Sequence, residues 1–293
     1  MLQPGIKKGS GKNVKLYIQF NNPGKVLAKV GISAVSAEGA LQNLNAEIPD
    51  FNFKKTAQQA KAAWNKELSK IAVESTDKNK LSIFYTALYH CFSSPNLFMD
   101  VDGKYFGIDK KVHQAEGFDN YTVFSLWDTY RTEHPLLSII DRKRTTDFIN
   151  TFLNQYKYGG LLPIWELAGN ETFCMIGNHS IPVILDAYRK GITGFDANLA
   201  FEAMKSAVNR NQFGLDSYRN NGLVVADDEH ESVSKTLEYA YDDWCIAQFA
   251  KLLNKPAEYN EFIRRAQYWK NVFDSESGFM KARSNGNWWK PFD

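Results

Sequence analysis

The sequence predicts a mainly α-helical fold preceded by a short β segment. Three observations lead there. From Lys54 onward apolar residues recur at helical spacing. The periodic segments open at capping aspartates and close at glycine or proline. Residues 1–50 differ: β-branched and aromatic residues flank a turn signal.

Each element has its own justification. VKLYIQF (14–20) and KVLAKVGIS (25–33) surround an Asn-Asn-Pro-Gly turn and read as two strands. Two strands alone are marginal in water, so they read as the end of a larger sheet. Residues 34–48, rich in Ala and Asn, form a linker with helical turns. Residues 54–75 place Ala60, Ala63, Trp64, Leu68 and Ile71 on one helical face. Asp77 caps the next helix, which stops by Ser94-Pro95. After a loop over 99–120 the spacing predicts a helix over 122–140. Asp141 caps another, ended by Gly159-Gly160. Further helices fall near 179–190, 196–210, 232–253 and 256–274. In the helix over 232–253, Val233, Leu237, Ala240, Tyr241 and Trp244 form the apolar stripe, with Glu231, Lys235, Glu238 and Asp242 opposite. About eight helices with short connections describe an α/α barrel or toroid, in which loops at one end build a cup.

Composition narrows the function. The 293 residues are 44% hydrophobic and 23% charged, ordinary for a globular protein with a large core. The net charge is +2, and no basic stripe with interleaved aromatics appears, which argues against nucleic acid. No apolar run approaches the ~20 residues of a membrane span. The N-terminus lacks the apolar core of a signal peptide. Cys91, Cys174 and Cys245 are odd in number, lie in apolar surroundings and read as buried free thiols. Aromatics make up 14% of the chain, which suits a sugar-binding protein as well as a helical core.

The stretch 121–179 concentrates rings, carboxylates, amides and a histidine at the edges of apolar segments. Rings suit the carbon face of a sugar, and carboxylates and amides suit its hydroxyls. Trp127 and Asp128 are the first candidates, in a helix start where Asp128 and Arg131 share a face. Trp165, Glu166 and His179 lie in a connection too long for a minimal helix–helix turn. Asp227-Asp228-Glu229-His230-Glu231 offers oxygen ligands but lacks EF-hand spacing. No nucleophile elbow, P-loop, Rossmann fingerprint or HExxH zinc motif is present. Paired carboxylates, drawn from Asp128, Glu166, Glu171 and Glu231, remain the best chemistry.

Five ordered segments carry a resemblance: YTALYHCFSSPNLFMDVDGKY, YTVFSLWDTYRTEHPLL, LLPIWELAGNETFCMIGNHS, ESVSKTLEYAYDDW and GFMKAR…W…PFD. Together they resemble glycoside hydrolase family 92 over nearly all of residues 55–293. The resemblance implies an exo-acting, inverting, calcium-dependent α-mannosidase acting on mannose-containing glycans, periplasmic or secreted. It implies an N-terminal β-sandwich, a helical linker and an (α/α)6 catalytic domain. Residues 1–50 then correspond to the last strands of the sandwich, 51–76 to the linker and 77–293 to the first part of the toroid. Trp127 and Asp128 match the motif lining the terminal mannose subsite; Trp165, Glu166 and His179 lie in a second family motif. The family's general acid follows the PFD segment, and its base and calcium ligands lie mostly further on. The chain is therefore expected to be an internal fragment with no catalytic carboxylate of its own, partnered by the missing C-terminal half of the toroid. The alternatives are a non-catalytic glycan-binding module and a helical scaffold for protein partners.

Overall fold

The computed structural model describes residues 12–15, 17–21, 24–284 and 286–290. The order is α1 (Ala37–Glu47), α2 (Phe53–Leu68), α3 (Lys78–Cys91), β1 (Asn96–Leu97), β2 (Lys104–Phe106), β3 (Val112–Gln114), β4 (Tyr121–Thr122) and β5 (Phe124–Ser125). There follow α4 (Leu126–Thr129), α5 (Glu133–Ile140), α6 (Arg142–Gly159), β6 (Trp165–Leu167), β7 (Asn170–Glu171), α7 (Ser180–Arg189), α8 (Ala197–Val208) and α9 (Leu215–Asn221). The chain continues through α10 (Ser232–Leu252), α11 (Pro256–Arg265), a 3-10 turn (Tyr268–Val272) and two hairpins, β8–β9 (Phe273–Asp274, Phe279–Met280) and β10–β11 (Arg283–Ser284, Asn287–Trp288). The mainly helical class expected from periodicity is what forms.

The caps explain the boundaries. Asp77, Asp141 and Asp196 each accept backbone N–H groups of the helix that follows them. Gly160 ends α6 at φ 73°, a left-handed conformation that glycine adopts freely. Pro256 occupies the first turn of α11, where its missing N–H costs nothing. Residues 25–33, expected as a strand, carry no strand pairing among the described residues, in keeping with the weakness of an isolated two-stranded ribbon. Leu16, Asn22 and Pro23 of the expected hairpin, and the PFD segment, lie outside the described residues. The predicted linker is more regular than expected: residues 37–47 form the full helix α1, with Ser36 accepting from the Gly39 N–H at 2.9 Å.

Two polar anchors fasten the N-terminal arm. Buried Asp100 accepts from Ser33 Oγ and Asn43 Nδ2, both at 2.8 Å. Glu67 and Lys70 meet Arg144 (2.8 Å) and Asp141 (2.5 Å) and tie the end of α2 to the start of α6.

Helices α5, α6, α7, α8, α10 and α11 enclose one apolar core, with α10 packed on α7, α8 and α11. Two expectations fail here. The helix over 122–140 is broken: residues 121–122 and 124–125 are strands, and only 126–129 and 133–140 are helical. Thr122, Phe124 and Leu126 are buried in alternation, the period of a strand. On α10 the buried face is not the predicted one. Tyr241 and Trp244 are exposed, whereas Lys235, Asp242 and Asp243 are buried. Polar burial is possible because partners are in place. Lys235 pairs with Glu229 at 3.0 Å, the Asn178 N–H donates to Asp242 at 2.9 Å, and Tyr218 and Arg265 donate to Asp243 at 2.9 and 3.0 Å. Of the three thiols only Cys245 is buried; Cys174 is exposed and Cys91 intermediate.

Phe124 couples β5 to α6. Its ring meets Phe148 (5.5 Å) and Phe152 (4.8 Å) edge-on and has no solvent exposure. Phe124→Ala should therefore cost about 3–5 kcal/mol in denaturant unfolding; a loss under about 1 kcal/mol would mean that β5 is not anchored by this contact.

Candidate functional site

The site is built on a three-stranded antiparallel ribbon, β5–β6–β7. Its register pairs Ser125 with Trp165 and Phe124 with Glu166. Cross-strand partners share a face and successive residues alternate. Trp165 therefore stands with Ser125 on the outer face, while Glu166 turns inward with the core residue Phe124. The neighbours Trp165 and Glu166, adjacent in sequence, are sent to opposite sides.

Glu166 is 1% exposed. Thr122 Oγ1 lies 3.0 Å from both of its oxygens, and the Gly169 N–H donates to it at 2.6 Å. Burial pushes its carboxyl up to about 7. Thr122 Oγ1 also accepts from the Ala168 N–H at 2.6 Å, so one threonine and one glutamate close the β6–β7 turn. Glu171 accepts from the N–H groups of Ile164 (2.7 Å), Trp165 (3.0 Å) and Phe173 (2.9 Å). Both glutamates are engaged by the ribbon itself. Val123, between β4 and β5, has φ 67°, an unusual conformation for a β-branched residue.

Where β5 runs into α4, Ser125 Oγ donates to Asp128, whose carboxylate is exposed. Ser125 thus touches both Asp128 and, by strand pairing, Trp165. Trp127 is half-buried, and its indole N–H has no acceptor among the described residues. Arg131 lies over the rings of Trp127 (5.9 Å) and Tyr130 (4.9 Å) and donates from Nε to the Tyr130 hydroxyl at 2.7 Å.

His179 lies behind this surface, 1% exposed. It stacks on Tyr130 with centroids 4.1 Å apart and rings within 13° of parallel. Its Nε2 is 3.0 Å from Glu238 and its Nδ1 is 3.7 Å from Asp242. Asp242 is fully buried, and burial pushes its carboxyl up to about 7, opposed by His179 and the Asn178 N–H.

Trp127 and Asp128 are thus carried by the β5–α4 junction and Trp165 by the strand paired with it, and this junction is the candidate contact surface. His179 supports that surface through Tyr130, and Glu166 supports it from within the ribbon. An exposed carboxylate can accept ligand hydroxyls, and indole rings can cover a ligand's apolar face. Tyr130, Glu238 and Asp242 were not singled out in the sequence. The last two sit four apart on α10, which is a signal of a shared face, but that face had been assigned to solvent. A partly open cavity of about 60 Å³, lined by residues 173–178 with Arg210, Lys235 and Tyr239, includes none of the five predicted residues.

The acidic run 227–231 does not suit calcium. Asp227 accepts from Ser284, Asp228 from Ser217, and Glu229 pairs with Lys235, so the oxygens are spent in different directions. Among the described residues no group of three His, Cys, Asp or Glu could hold a metal ion.

The raised Asp242 carboxyl has a definite sign. An acid whose folded value lies above its unfolded value stabilises the fold fully below the unfolded value, near 3.8. That contribution is lost as pH rises toward about 7. Thermal unfolding should thus show a stability decline across this window that Asp242→Asn diminishes; identical pH profiles for the two proteins would contradict it.

Comparison with known proteins places this geometry in a family. The Glycosyl hydrolase family 92 catalytic domain model matches residues 39–293. The solved family GH92 α-mannosidase from Bacteroides thetaiotaomicron is 44% identical with a TM-score of 0.85, over 89% of this chain and 35% of that one. It is also solved in complex with mannoimidazole. A family GH92 inverting mannosidase from the same organism is 32% identical with a TM-score of 0.84, over 89% of this chain and 37% of its own. An uncharacterized secreted glycosidase of Arthroderma benhamiae is 26% identical over 296 residues, 92% of this chain and 34% of that protein. The chain thus spans about a third of the length of these relatives. With the ordered motifs, the helical core and a family match over residues 39–293, the chain belongs to glycosyl hydrolase family 92.

Proposed function

We propose that this chain forms part of an exo-acting, inverting, calcium-dependent α-mannosidase, secreted or periplasmic, and contributes part of its mannose site. In this reading residues 1–50 are the end of a β-sandwich, 51–76 a helical linker and 77–293 the first part of an (α/α)6 toroid. The observation that carries it is the exposed Asp128, joined through Ser125 to Trp165 and followed by Arg131. Membership of a family whose solved relatives include an α-mannosidase complexed with mannoimidazole supports a mannose-containing glycan as the ligand.

The residues divide by role. Asp128 accepts hydroxyls of the terminal sugar, and Trp127 and Trp165 supply ring surface. Glu166 holds the ribbon turn and His179 holds Tyr130, both acting behind the contact surface. Binding energy gathered here, away from the breaking bond, contributes to ring distortion in the complete enzyme. The acid, base and calcium ligands that the family resemblance implies are carried by sequence other than the segments described above. The run 227–231 does not fit calcium, and no step is assigned to a metal held there.

One observation favours binding without hydrolysis by this chain alone. Glu166 and Glu171, two of the carboxylates available for paired-carboxylate chemistry, are occupied by the ribbon. The chain should therefore bind a mannose-type ligand saturably yet release no mannose from an aryl α-mannoside. Turnover by the purified chain would refute that division.

Calorimetric titration with mannoimidazole tests the contact residues. Asp128→Ala should weaken binding at least about tenfold, or ~1.4 kcal/mol. Glu166→Gln, which keeps the shape of an inward side chain, should stay within about threefold of wild type, under ~1 kcal/mol. The reverse ranking would move the sugar contact from Asp128 to Glu166.

A further inference from the structure

Asp128 lies in the single-turn helix α4 and Arg131 in the turn that follows it, only three residues on. Exposed and oppositely charged, they are natural partners for one another. They do not pair. Arg131 instead reaches Glu238 on α10 at 3.3 Å, and no cation lies within ion-pair reach of Asp128 among the described residues. Glu238 is well placed to win this competition. Its side chain is 14% exposed, and its other oxygen lies 3.0 Å from Nε2 of buried His179. An ion pair partly shielded from water is stronger than one in open solvent.

The same carboxylate thereby closes a clamp on Tyr130. His179 stacks on the ring, and Arg131 lies over it and donates to its hydroxyl. Glu238 joins the two cationic or cation-capable groups, one through each oxygen.

We propose that Glu238 is a positioning residue that draws Arg131 away from Asp128 and so keeps the Asp128 carboxylate open to ligand hydroxyls. This rests on the reading that Asp128 meets the sugar. Without Glu238, Arg131 turns onto Asp128, and the site blocks itself with an internal ion pair.

The test is a pair of variants with two readouts. In titrations with mannoimidazole, Glu238→Ala should bind about tenfold more weakly than wild type. Adding Arg131→Ala to that variant should restore affinity to within about threefold of wild type, because the blocking cation is gone. A merely structural role for Glu238 would not be rescued by a second truncation. Glu238→Gln, which keeps shape and loses charge, should shift affinity in the same direction by less, and it serves if the alanine variant folds poorly. A crystal structure of the ligand-free Glu238 variant should show the Arg131 guanidinium on Asp128. With wild type binding, failure of the rescue overturns the proposal. If wild type takes no mannoimidazole, the sugar reading of Asp128 falls. The variant structure then decides the steering by itself: Arg131 on Asp128 supports it, and Arg131 elsewhere overturns it.

Discussion

Charge buried inside a helical bundle is costly unless a partner offsets it, and the inward face of α10 carries three such groups, each with at least one partner. Lys235, Asp242 and Asp243 face inward and are met by Glu229, by the Asn178 N–H, and by Tyr218 with Arg265. The Asn178 contact ties the loop ahead of α7, and with it the neighbouring His179, to α10. His179 in turn stacks against Tyr130, and Tyr130 adjoins the Trp127–Asp128 surface. The site surface therefore rests on a buried polar seam. Removing one member would leave its partner charged and dry, a situation that costs more than the intact pair contributes.

The second determinant is the register of the ribbon. A slip of one residue between β5 and β6 would exchange Trp165 with Glu166, placing a carboxylate outside and an indole against Phe148 and Phe152. The fully buried Phe124 and the bonds from Thr122 and Gly169 to Glu166 hold the register. Several weak local preferences agree on one arrangement, which is how short two-residue strands are specified at all.

Much of the fold was legible in the sequence. The aspartate caps of α3 and α6 and the glycine end of α6 fall where local chemistry put them. The break of the expected helix over 122–140 was written in the alternation of Thr122, Phe124 and Leu126, but helical spacing of the same apolar residues competes with it. The α10 face was misjudged because hydrophobicity alone assigns Asp242 to water, and only the Asn178 N–H and His179, 64 and 63 positions away, reverse that. Of the candidate site, Trp127 and Asp128 lie at the β5–α4 junction, and Trp165 is linked to it by its pairing with Ser125. The inward turn of Glu166 and the supporting position of His179 depend on long-range register and packing, which no local pattern encodes.

The central claim is that Asp128 is held open for a sugar hydroxyl beside Trp127 and Trp165. A crystal structure of this chain soaked with mannoimidazole tests it most directly. The account predicts the ligand on the Trp127–Asp128 surface, with Asp128 accepting its hydroxyls and Arg131 still on Glu238. Ligand bound elsewhere, or an Asp128 carboxylate closed by Arg131, would contradict it.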